Sequence, residues 1–153
     1  MPPATLQELS DRLEIDDLLT RYATGVDRKD WDLWESCFTE DAVIDYTAFG
    51  GIRGGVAEVR AWLEKTMAMF PMSQHMILNK EIAIEGDTAT SRAGFYNPMS
   101  LPLDDGENRL LFFEGGYYCD RLQRTSEGWK IAERVEEFSY STRLNPQLKP
   151  KRD

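Results

Sequence analysis

The chain reads as an α+β protein, with helices first and a run of antiparallel strands after them. Three observations support this. Apolar residues recur at helical spacing through the first third of the chain. The remainder falls into strand-length runs separated by turn residues. With 153 residues, 41% apolar and 29% charged, the chain can bury the core of one ordinary domain.

The first helix opens on a capping box, Thr5-Leu6-Gln7-Glu8. Its apolar stripe is read as Leu6, Leu9, Leu13, Ile15, Leu19, Tyr22 and Val26, which places Asp27 at its C-terminal end. An acid there is an anomaly, because the helix dipole disfavours negative charge at that end. Asp30 caps a short second helix carrying Trp31 and Trp34. Ala42 to Tyr46 reads as a strand, and Val56 to Met67 as a third helix stopped before Pro71. Four longer strands follow at 74–84, 88–99, 109–123 and 129–141, with hairpin turns at Glu85-Gly86-Asp87 and Thr125 to Gly128. Leu101 to Asn108 is a polar loop. A strongly bent sheet wrapped over the helices would leave a cavity at its open end. Residues 1–143 are expected to form a single domain and 144–153 a short polar tail.

Composition excludes several classes of function. A net charge of −9, from 27 acidic and 18 basic residues, has the wrong sign for nucleic acid or an anionic membrane. No run of eighteen apolar residues offers a membrane span. Cys37 and Cys119 make no disulfide framework, and with one histidine a zinc site is not expected. Gly50-Gly51-Ile52-Arg53-Gly54-Gly55 lacks the lysine of a phosphate loop. The expectation is chemistry without a cofactor. Met1-Pro2-Pro3-Ala4 has neither a basic nor an apolar leader, so the expected compartment is the cytoplasm.

The candidate site centres on that single histidine, His75, in Ser73-Gln74-His75-Met76. Histidine alone has an unperturbed pKa suited to proton transfer near neutral pH. Asp27, Tyr22 and Tyr46 are its candidate companions in one pocket. The alternative is an ordinary packed or surface histidine, and spacing alone leaves the two open.

The segment Val26 to Asp32, Ile44-Asp45-Tyr46, Gln74-His75 and the Gly86 to Thr90 hairpin, in this order, resemble the nuclear transport factor 2-like superfamily and its SnoaL-like branch. The resemblance implies a cone-shaped α+β barrel, a mostly antiparallel sheet enclosing a pocket, and a homodimer or homotrimer. Within the superfamily, the segment around Asp27 is similar to that of the scytalone dehydratases. Their catalytic aspartate falls on Asp27, their strand tyrosine on Tyr46 and their histidine on His75. Tyr22, five residues before the aspartate, resembles the bile acid 7α-dehydratases. The hexachlorocyclohexane dehydrochlorinases share the Asp and His but have lysine in place of Tyr22. Two departures stand out. A second histidine of the scytalone dehydratases has Gly115 or a neighbour in its place. An arginine of the dehydrochlorinases falls on Glu133, next to Arg134.

The resemblance implies an Asp27–His75 acid/base pair in a lyase of dehydratase type, acting on a hydrophobic cyclic or aromatic small molecule. Tyr22 and Tyr46 would donate to a substrate carbonyl, or else be core aromatics. Asn97 would orient substrate or cap the strand before Pro98. Trp31, Phe95, Phe112 and Tyr118 supply apolar bulk as lining, core or subunit contact, and Glu133 is the remaining candidate. An isomerase or polyketide cyclase using the same enolate, or a non-catalytic binding module, stays open beside the lyase.

Overall fold

A computed structural model describes residues 4–103 and 106–142, so the expected tail at 144–153 lies outside the described residues. The helices are α1 (Leu6–Arg28), α2 (Trp31–Ser36) and α3 (Val56–Met67). The strands are β1 (Phe38–Asp45), β2 (Arg53–Gly55), β3 (Met72–Ser73), β4 (Met76–Glu85), β5 (Thr88–Pro102), β6 (Arg109–Thr125) and β7 (Gly128–Ser141). The sheet runs β2-β1-β7-β6-β5, and both β3 and β4 pair with the far side of β5. Pairing is antiparallel except between β1 and β7, which are parallel. At roughly 3.3 Å per residue the two longest strands are too long to lie flat under ordinary strand twist. The sheet curls into a half-barrel with the helices packed on it, as the sequence predicts.

The capping box of α1 forms: Glu8 N–H donates to Thr5 Oγ1 at 3.1 Å, and Thr5 N–H to Glu8 Oε2 at 2.7 Å. The helix ends on Lys29 in the left-handed region at φ 56°. Gly25 lets α2 fold back against α1, because a Cβ there would stand 2.8 Å from the Trp34 nitrogen.

The apolar stripe begins later than expected. Leu6, Leu9 and Leu13 are exposed, and the buried face consists of Asp11, Ile15, Leu18, Leu19, Tyr22 and Val26. The first turns present Asp11 inward because it meets a matched set of donors. Arg124 donates to it through Nη1 at 2.6 Å and Nη2 at 2.8 Å, Trp129 Nε1 at 3.1 Å and Gln7 Nε2 at 3.0 Å. Arg124 also reaches Asp87 at 2.9 Å, so the start of α1 is tied to both hairpin ends.

Three strand boundaries differ from expectation. β1 starts at Phe38, β5 continues to Pro102, and β2 forms from the glycine-rich segment. The strand expected to run from Gln74 is interrupted: β3 and β4 flank a gap that holds Gln74 and His75. Gln74 N–H still reaches Pro98 O at 3.0 Å, whereas His75 N–H has left the ladder.

Asp11→Asn is expected to lower stability at neutral pH by about 1–3 kcal/mol, the usual scale for a buried hydrogen-bonded charge. The Arg124 guanidinium holds the Asp11 carboxyl well below the usual carboxylate range. The contribution is therefore full above about pH 4 and disappears as pH falls toward the depressed native value. Denaturant melts of both proteins should show the gap closing in acid.

Candidate active site

Asp27 and His75 meet where α1 ends and the β3–β4 gap begins. His75 Nδ1 lies 2.6 Å from Asp27 Oδ1, Ser73 Oγ donates to the same oxygen at 2.9 Å, and His75 N–H donates to Oδ2 at 2.8 Å. The acid at the unfavourable end of a helix is accounted for by these donors. The backbone hydrogen that the gap releases from the sheet is taken up by the same carboxylate. With Asp27 accepting throughout, the Nδ1 hydrogen belongs to the imidazole, and Nε2 carries the lone pair of the neutral ring. Asn97 Nδ2 sits 2.9 Å from that Nε2.

His75 and Asn97 face a cavity of about 460 Å³, within the range of small-molecule sites. Tyr22, Tyr46, Thr66, Glu114, Tyr118 and Glu136 are among its other polar residues, and most of the remaining wall is aromatic or aliphatic. Asp27 stands behind the imidazole, away from this cavity, and so orients rather than touches a ligand. Asn97 is 5% exposed, and its Oδ1 has no protein partner.

The hydroxyls of Tyr22 and Tyr46 lie 2.6 Å apart, so one donates to the other and one hydroxyl hydrogen remains to be offered. Burial pushes both phenols above their ordinary pKa and keeps them protonated. Beneath them Arg134 is fully buried, with its guanidinium carbon 3.9 Å from the Tyr22 ring centre and 4.2 Å from that of Tyr118. Arg134 forks onto Asp120 through two bonds of 2.7 Å. The Tyr118 ring stacks on Phe95 at 4.4 Å.

Phe95, Asn97, Phe112 and Tyr118 line the cavity, whereas Trp31 and Glu133 do not. Trp31 packs against the core from α2, and Trp62 of α3 takes a place in the wall beside Tyr46. Glu133 faces away because β7 carries an irregularity: Leu122 pairs with Ile131 but Arg121 pairs with Glu133. The extra residue shifts the alternation, so Arg134 and Glu136 point inward and Glu133 pairs outside with Arg121 at 2.6 Å. Glu133 was a candidate through the resemblance to the dehydrochlorinases, whose arginine falls on it, and no turn residue in the sequence signals the bulge. At the position of the missing second histidine, the Tyr140 ring occupies the space that a Cβ on Gly115 would need, and Phe49 and the Glu137 carbonyl crowd Gly116. Among the described residues, no group of three or more His, Cys, Asp or Glu is placed to hold a metal ion. No described helix is long and apolar enough to cross a membrane.

The SnoaL-like domain family matches residues 7–135. The chain belongs to the SnoaL-like family. Rv2910c of Mycobacterium tuberculosis, an uncharacterized protein, is 40% identical to it over 132 residues, covering 86% of this chain and 88% of that protein. Among solved structures, the Kfla4162 protein of Kribbella flavida has a TM-score of 0.77 at 28% identity, covering 86% of this chain and 93% of that one. A type 2 hexachlorocyclohexane dehydrochlorinase (LinA) has a TM-score of 0.78 at 19% identity, covering 94% and 95%, a likeness of fold. This SnoaL-like domain therefore has the nuclear transport factor 2-like architecture that its motifs resemble.

Arg134→Met is expected to cost about 3–5 kcal/mol by leaving the Asp120 charge buried and unpaired. Combining it with Asp120→Leu should recover much of that loss, because no charge is then stranded. Denaturant unfolding of the three proteins checks both statements.

Proposed function

We propose that this SnoaL-like protein is a cofactor-independent lyase of dehydratase type, acting on a hydrophobic cyclic or aromatic small molecule that carries a carbonyl. The observation that supports this most is the Asp27–His75 pair at 2.6 Å, with Nε2 of the imidazole turned toward a mainly apolar cavity. Asp27 fixes the tautomer and stabilises imidazolium, so Nε2 can take the hydrogen on the carbon next to the carbonyl. The free hydroxyl hydrogen of the Tyr22–Tyr46 pair would donate to the oxygen that becomes an enolate. Collapse of the enolate then expels a leaving group from the next carbon.

Asn97 regulates access to the base. In the resting site its amide nitrogen stands on Nε2, and a ligand must displace that contact. Once His75 is protonated, a turn of the amide would place the now unpartnered Oδ1 opposite Nε2–H. The same contact favours the second reading, a binding module in which Asn97 keeps the imidazole occupied. Exposed Leu111, Phe138 and Tyr140 on β6 and β7 offer apolar surface to a second copy of the chain, in keeping with a homodimer or homotrimer.

Hydrogen exchange into benzylacetone in deuterated water tests the base without requiring a natural substrate. The wild type should label the carbons next to the carbonyl. His75→Ala should lose roughly two to four orders of magnitude in rate. Asp27→Asn should also be severe, and Tyr22→Phe and Tyr46→Phe milder. If the wild type binds the ketone but leaves its hydrogens unexchanged, the lyase and isomerase readings fall and the binding module stands.

A further inference from the structure

The cavity holds a second titratable group that the Asp27–His75 pair does not use. Glu136 reaches it from β7. Its Oε2 is buried and has no protein partner. The cation on its own strand, Arg134, spends its Nε and Nη2 hydrogens on Asp120 and forms no ion pair with Glu136 among the described residues. The other titratable groups around it are acidic or phenolic, apart from His75. Glu114 faces it from β6, Asp45 from the end of β1, and Tyr118 is its register partner on β6. Tyr22 of α1 and Tyr46 after β1 share the cavity wall, and His75 enters from the β3–β4 gap. A buried carboxylate without a hydrogen-bond donor or an ion pair is a costly species, whereas a buried carboxylic acid needs only one acceptor. Another buried atom without a protein partner, Asn97 Oδ1, belongs to a residue that lines the same cavity, and Arg134 Nη1 is likewise without one.

We propose that Glu136 is a neutral carboxylic acid that donates its hydrogen to an oxygen of the bound ligand, and that it is the acid partner of His75 in the elimination. It selects neutral oxygen-bearing molecules over amines. Burial pushes its carboxyl up to about 8, with Glu114 and Asp45 adding to the effect and Arg134 opposing it. In the elimination the C–H bond breaks to His75 Nε2 and the C–O bond to the leaving hydroxyl breaks. The carbon–carbon double bond forms between the two carbons. The Glu136 proton goes to the departing oxygen, which leaves as water. Imidazolium and carboxylate are reset when one proton passes from His75 to Glu136 through solvent. The assignment of the acid rests on the lyase reading. The protonation state and the ligand preference do not.

The protonation state is read in the protein alone. The native state holds a proton that the unfolded state gives up, so wild-type stability falls as pH rises from about 4.5 to about 8. Glu136→Gln should therefore gain Tm relative to wild type across that interval and keep a constant difference above it. Should Glu136→Gln not fold, the wild-type carboxylic-acid infrared band at neutral pH, its loss in alkali and its survival in Glu114→Gln report the same state. A difference in Tm that is flat in pH, or the absence of that band, overturns the proposal. For the ligand, benzylacetone should bind the wild type more tightly at neutral pH than the amine of the same skeleton. Its affinity should fall about tenfold once Glu136 ionises or in Glu136→Leu, one hydrogen bond's worth, and be retained in Glu136→Gln. Preference for the amine, no binding of the ketone, or indifference to both variants and to pH overturns it. For the acid role, the benzylic β-hydroxy derivative of benzylacetone should yield benzylideneacetone with wild type. Glu136→Gln should still exchange the α-hydrogens of benzylacetone but lose elimination at least tenfold. Unchanged elimination in Glu136→Gln, or exchange without any elimination by the wild type, overturns the acid role. A wild type that binds the ketone through Glu136 without exchanging its hydrogens refutes the lyase reading and leaves the ligand preference standing.

Discussion

The site depends on one carboxylate that does two kinds of work. Asp27 accepts the backbone hydrogen that the sheet gives up at His75 and the ring hydrogen of the same residue. The first contact holds the end of α1 against the break between β3 and β4. The second fixes the ring. Because both come from a single residue, the position of the imidazole and its tautomer are set together. Ser73, two residues back in the chain, adds a third donor and leaves the carboxylate little freedom to turn.

A second polar assembly lies deeper. Asp120 and Arg134 are fully buried side by side on β6 and β7, and the guanidinium closes the floor under Tyr22 and Tyr118. Such pairs contribute little net stability compared with apolar replacements. Its local effect is geometric: the cation holds two phenol rings at fixed distances and so keeps the Tyr22 hydroxyl beside that of Tyr46. The polar groups of the cavity thus rest on supports that do not themselves touch a ligand.

The architecture was legible because it is written in periods and caps. The Thr5–Glu8 box, the Asp30 cap and the two hairpin turns all lie where local chemistry puts them. Tyr22, Asp27, Tyr46 and His75 were legible through motif order, and the structure places all four around one site. What escaped was set by partners distant in sequence. Leu6, Leu9 and Leu13 follow helical spacing as well as any buried residue does, but Arg124 and Trp129 turn Asp11 inward in their place. Glu114 and Glu136 escaped because nothing in their neighbourhood in the sequence reports a cavity. Whether the assembled groups catalyse is a separate matter from the fold that assembles them.

The irregularity in β7 gives the last strand an unusual kind of fragility. Substitutions there change one side chain at a time, whereas losing the bulge at unchanged chain length would turn over everything downstream. Glu133 and Val135 would be delivered to the interior, and Arg134 and Glu136 to the outside. A strand one residue shorter at this point, and free of the bulge, would keep Arg134 and Glu136 facing inward. Two chains with the same letters here but a different register would present different chemistry to the same ligand.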